Sequence, residues 1–181
     1  KDYMKLMNSR GVTTVKEMGF DDFYGFDSFL KEKEEQKELS LRTFFMSQPV
    51  GEGINIEHGK RMREKFQGDF IRFSGYNRMT DGTVASTKGD LLEPYEGTDM
   101  HCSIQVDYPM IEKEVQLADE NGFRYSLHAQ GDGAVHKVAG IFDKCQKKDG
   151  KLVNRHAVTD MEFSNPADLK KMGEIGVTGE I

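Results

Sequence analysis

His128 and Asp160 are the side chains of this sequence best placed for chemistry. His128 closes the run RYSLHA and is followed at once by QGDG, while Asp160 closes NRHAVTD. Strand side chains alternate, so positions 156, 158 and 160 are expected on one face, with Asp160 nearer the strand's C-terminal end. The segment FSGYNRMTDGT brings Asn77 and Asp81 to the same rim if the strands are in register. Imidazoles and carboxylates that converge in this way suit a divalent metal or general acid–base catalysis. The expected roles are metal ligation by His128, Asp160 and His156, catalysis by Asp160, and substrate contact by Asn77 and Asp81. Each residue also has a structural reading. A strand-end histidine is often only hydrogen-bonded in place, Asp81-Gly82 is a turn dipeptide, and Asp160 can cap or orient a neighbour. No role is assigned to His58, His101 or His136.

The Gly131-Asp132-Gly133 turn ahead of a helix imitates part of a dinucleotide-binding G-x-G-x-x-G. The third glycine position is His136, however, and an Asp in the loop would repel a pyrophosphate at the helix N-terminus. Asp132 reads better as the N-cap of the following helix.

The elements that must hold these residues alternate along the chain. GVTTVKEMG (11–19), LRTFFMSQP (41–49), DFIRFSGYNRM (69–79), FRYSLHA (123–129), LVNRHAVTDMEF (152–163) and the final VTGEI read as strands. Between them lie a helix capped by Asp21 or Asp22 with Phe23, Phe26 and Leu30 on one side, a helix over 57–67, and a helix from Pro109 to Gly122. Two more follow: one carrying Val135, Val138, Ala139, Phe142 and Cys145, and one opened by Asn165-Pro166. A connection over 81–108, rich in Gly, Thr and Asp, is too long for a turn. Six strands alternating with helices imply a parallel α/β sheet, either open and doubly wound or part of a (β/α) barrel. Both architectures put ligand chemistry at the C-terminal ends of strands, where His128 stands.

Composition removes several classes. The 181 residues suffice for one domain, and the net charge of −6 argues against a nucleic-acid face. The densest charge run, KEKEEQKE at 31–38, mixes signs and reads as a solvated helix face. No stretch approaches the roughly 18 apolar residues of a membrane span. Cys102 and Cys145 form no close pair, so neither a disulfide framework nor a zinc knuckle is expected, and a reducing, cytoplasmic setting is.

GVTTVKEMGFDDF, FSGYNRMTDGT, LHAQGDGAV and RHAVTDMEFSNPADLKKMGEIGV together resemble the amidohydrolase superfamily, in the branch of metal-dependent hydrolases that includes N-substituted formamide deformylase. The resemblance runs through nearly all of the chain, and LHAQGDGAV is its most specific part. It implies strands two to seven of a (β/α)₈ barrel, with a divalent metal, zinc by preference, at the C-terminal rim. There metal-activated water would attack a C–N bond of a small amide-like substrate. By the same resemblance His128 takes the fifth-strand histidine position. The sixth-strand histidine position falls on Asp160, and His156 matches a histidine four residues earlier that is ordinarily not a ligand. Asn77 stands at the position of a fourth-strand lysine that is often carboxylated, so a two-metal site is not expected. The first-strand His-x-His pair is missing, and the eighth-strand Asp would lie beyond Ile181.

These gaps set the remaining expectations. The 181 residues read as a piece of a longer hydrolase that by itself binds metal weakly and turns over nothing. The alternative is a barrel that has lost catalysis and serves as a binding or structural module. Strand edges near 13–18 and 177–181 lack proline and strong charge, so self-association into a homo-oligomer is expected.

Overall fold

A computed structural model describes residues 2–19, 25–48 and 53–180. The chain divides into two compact units, Lys1–Asn77 and Arg78–Ile181. Parallel strands alternate with helices in both, and the fold class is that of a partial β/α barrel.

The first unit runs α1 (Asp2–Ser9), β1 (Thr14–Glu17), α2 (Phe26–Glu35), β2 (Arg42–Ser47), α3 (Ile56–Lys65) and β3 (Ile71–Met79), whose last two residues belong to the second unit. β1 pairs with β2 and β2 with β3, all parallel. The core is aromatic: Phe45, Met62, Phe66 and Ile71 are buried, with the Phe45 ring edge-on to Phe66 at 5.2 Å. Burying side chains of this size stabilises by about 1.5–3 kcal/mol each. The Asn55 side chain caps α3 by accepting from His58 N–H at 2.9 Å. α1 was not foreseen, and none of its residues is buried. The cap expected at Asp21 and Asp22, with Phe23, lies outside the described residues.

The second unit runs α4 (Tyr108–Glu120), β4 (Tyr125–His128), α5 (Asp132–Asp143), β5 (Lys147–Lys148), β6 (Lys151–Leu152), β7 (Ala157–Thr159), α6 (Pro166–Ile175) and β8 (Thr178–Glu180). β4 pairs with β7 and β7 with β8 in parallel, with His128 opposite Thr159. Val115, Val135, Val138 and Phe142 on the helices are fully buried, as their stripes require, and so are Tyr125, Leu127 and Val158 on the parallel strands. Arg78 clamps α4 through a forked pair with Glu114 (Nε–Oε2 2.6 Å, Nη2–Oε1 2.9 Å), and the Tyr125 hydroxyl donates to the same carboxylate at 2.8 Å.

Two local expectations are corrected. The segment 152–163 is not one strand. Its start pairs antiparallel with β5 as a small hairpin, and only Ala157–Thr159 join the parallel sheet. Asp132 is not an N-cap either. Gly131 holds that position, and the Asp132 carboxylate accepts from Leu92 N–H at 2.9 Å.

Candidate functional site

β4 ends at His128, and Thr80 N–H donates to its carbonyl at 3.0 Å, so the segment after β3 runs beside it. The Asp81 side chain is fully buried and faces the imidazole, with Oδ1 3.4 Å from Nδ1. That separation exceeds an ordinary hydrogen bond. Nδ1 accordingly has no hydrogen-bond partner among the described residues. The carboxylate instead collects three backbone amides: Gln130 N–H on Oδ1 at 3.0 Å, and Asp90 and Gly131 N–H on Oδ2 at 2.9 and 3.0 Å. Burial alone would raise the Asp81 pKa, but His128 and these amides outweigh it and hold the carboxyl below its ordinary value.

The same pair acts on His128 in the opposite sense. Burial pulls the imidazole down, yet Asp81, helped by the charge of Asp160, lifts it above its ordinary value. Asp160 therefore does stand within electrostatic reach of His128. It follows Thr159 at the C-terminal end of β7 and is exposed. Its φ of 55° is left-handed, and its N–H donates to Glu180 O at 2.9 Å. Asp tolerates that region better than most side chains, and here the conformation ends the strand.

The glycines of QGDG have a packing role. A Cβ on Gly131 would lie 2.2 Å from Asp90 O, and one on Gly133 would lie 2.8 Å from the same atom. Only glycine lets the 90–92 strip cross there. Ala134 N–H donates to Asp90 O at 3.0 Å, and the Gln130 side chain accepts from Val84 N–H at 2.5 Å. The helix N-terminus that a nucleotide would need is thus covered by the chain's own loop.

His156 is not brought to this rim. It precedes β7, so it and Asp160 flank opposite ends of a three-residue strand, and the alternation expected over 156–160 is broken at both. His156 is fully buried and stacks on Phe142 at 5.1 Å. With Asp119 and Cys145 it forms a group whose candidate ligand atoms all lie within 4.8 Å, a set that could hold a metal ion. Its protonation is committed, however. Nδ1 accepts from Tyr125 N–H at 3.0 Å, so the proton sits on Nε2 and is donated to Asp119 Oδ1 at 3.0 Å. Asp119 is further occupied by Asn154 Nδ2 and Gln146 N–H, each at 2.7 Å. Burial pushes the Cys145 thiol up to about 12. Burial, against the pull of Asp119, also holds His156 below its ordinary pKa and therefore neutral. A cation would have to displace two protons from a saturated network, so the trio fits a structural role better than a metal.

Asn77, the last residue of the first unit, is buried, and its Oδ1 has no partner among the described residues. Asp81, expected to touch substrate, has its carboxylate enclosed by backbone. Sequence reasoning missed Asp90, Tyr108 and Lys137, which meet beside this site. Tyr108 and Lys137 both donate to Asp90 Oδ2, the lysine at 2.6 Å. No local spacing signals contacts that span 18 and 47 residues.

Solved structures share this fold. Two uncharacterized metal-dependent hydrolases, from Pyrococcus horikoshii OT3 and Pyrococcus furiosus, superpose with TM-scores of 0.73 and 0.72 at 17% and 18% identity. They cover 97% and 98% of this chain, which spans 34% and 36% of theirs. A Xaa-Pro dipeptidase solved with methionine in its active site matches at a TM-score of 0.55 and 14% identity, over 98% of this chain and 44% of its own. The likeness establishes the fold. Among curated proteins, Protein LONG AFTER FAR-RED 3 of Arabidopsis thaliana is 22% identical over 190 residues, covering 96% of this chain and 31% of that protein. The chain thus spans about a third of the curated relative. No family model matches it. Among the described residues, no helix is long and apolar enough to cross a membrane.

Proposed function

We propose that this chain is part of a longer metal-dependent hydrolase that cleaves a C–N bond of a small amide-like molecule, with His128 as a metal ligand and Asp160 as a ligand or acid–base group. The observation that carries the reading is the placement of His128 and Asp160 at the C-terminal ends of β4 and β7, within electrostatic reach of each other. A further support is the buried His128 imidazole itself, whose Nδ1 makes no close hydrogen bond among the described residues and faces the Asp81 carboxylate at 3.4 Å. A bound divalent metal, zinc in this reading, would supply water of lowered pKa and polarise the scissile carbonyl. The chain's own contribution is positional. Asp81 holds the turn after β4 and the charge environment of His128, and Asp160 ends β7 in a left-handed conformation. We place the protein in the cytoplasm and expect it to self-associate, from its cysteine usage and unprotected strand edges.

A second reading has an observation of its own. Among the described residues, the one group of three candidate ligands within reach of a single ion is Asp119–Cys145–His156, away from the rim. A barrel that binds but does not catalyse accommodates that fact.

The experiment is a hydrolysis screen of the longer protein that contains this chain against formamides, N-acyl amines and carbamates, with zinc or manganese supplied. Turnover that falls at least about a hundredfold in His128→Ala supports the reading. Turnover indifferent to His128 removes that residue from the site, and no turnover in the zinc-loaded protein favours the non-catalytic module.

A further inference from the structure

The 90–108 connection folds over a cavity of about 380 Å³ that no catalytic role above uses. Its lining mixes polar side chains (Asp90, His101, Tyr108 and Lys137 among them) with apolar ones. The Asp90 side chain, with only 8% of its surface exposed, spends Oδ2 on Tyr108 and Lys137. Its Oδ1 accepts no hydrogen bond among the described residues. The Lys137 ammonium lies 4.7 Å over the Tyr108 ring, and its side chain is 45% exposed. One of its three N–H groups goes to Asp90, so two remain for a ligand. Met100, Ile104 and Val106 supply the apolar part of the lining, and Ile104 is exposed.

The charges select the ligand. Asp90 and Lys137 sum to zero, and burial together with Asp90 keeps Tyr108 protonated by driving its pKa upward. A simple carboxylate would meet Lys137 but be repelled by Asp90, and a simple amine would meet the reverse. A molecule carrying both an ammonium and a carboxylate satisfies Asp90 Oδ1 and Lys137 at once, and an apolar side chain then meets the apolar part of the lining. We propose that this cavity is a second small-molecule site, separate from the His128 rim, that takes a free α-amino acid with an aliphatic side chain. The site does not depend on the hydrolase reading.

Equilibrium dialysis of the protein with isotope-labelled L-leucine tests it. Saturable binding is expected, with 4-methylpentanoate (no ammonium) and 3-methylbutylamine (no carboxylate) competing at least about tenfold more weakly than unlabelled leucine. Lys137→Met and Ile104→Asp should each weaken binding by about tenfold or more, with circular dichroism confirming that both variants fold. His128→Ala should leave it unchanged. Absence of saturable binding, equal competition by either single-charge analogue, or loss in His128→Ala with retention in Lys137→Met would each overturn the proposal.

Discussion

The imidazole of His128 and the carboxylate of Asp81 face each other at 3.4 Å, at the point where β4 gives way to its loop. Asp81 is at once the charge beside the candidate ligand and the knot that ties the 81–91 loop to the turn after β4. Removing it therefore strands three buried amides. Asp81→Ala should cost about 3–5 kcal/mol in urea unfolding. A loss under about 1 kcal/mol would show that those amides find water instead.

Gly131 and Gly140 make a matched pair. A methyl on Gly131 meets the Asp90 carbonyl at 2.2 Å, whereas one on Gly140, inside α5, meets nothing within 4 Å. Gly131→Ala should destabilise by about 1–3 kcal/mol and Gly140→Ala should stabilise by up to about 1 kcal/mol. Thermal unfolding of the two variants reads the difference in sign directly.

These two positions also show what was legible in the residues. LHAQGDG announced a strand end followed by a tight turn, and His128 does close β4. The partner of that turn did not announce itself, because Asp90 lies some forty residues earlier in a loop with no periodicity. The helices were legible wherever they carry an apolar stripe, as in Val135, Val138 and Phe142. α1 buries no residue and so left no such signal. The rim was half legible. Alternation over 156–160 placed His156 and Asp160 together, but a strand of three residues ends before reaching either. The Asp119–Cys145–His156 network joins residues up to 37 apart and was not readable from spacing.

His128 and His156 should titrate on opposite sides of the ordinary value of 6.5. His128 is raised in the folded state, so its contribution to stability is complete below about 6.5 and is lost as pH rises through its folded pKa. His156 is depressed, so its contribution is complete above about 6.5 and is lost as pH falls toward its folded pKa, by up to about 1.4 kcal/mol per pH unit. Imidazole resonances followed by NMR between pH 4 and 9 check both. Co-titration of the two rings would refute the environments described.

Asp160 separates stability from function. Its backbone sits at φ 55°, where glycine is at ease, and its N–H bond to Glu180 O survives substitution. Asp160→Gly should change unfolding free energy by less than about 1 kcal/mol while lowering hydrolysis by the longer protein at least about a hundredfold. Comparable activity in this variant would remove Asp160 from the site.

Metal content decides between the two ends of β7. Elemental analysis after exhaustive dialysis of the zinc-loaded longer protein, of which these residues are a part, compares wild type with His128→Ala and Cys145→Ser. The account predicts that His128→Ala loses the bound metal while Cys145→Ser retains it. Retention in His128→Ala with loss in Cys145→Ser would move the metal to the buried Asp119–Cys145–His156 group and contradict the assignment of His128.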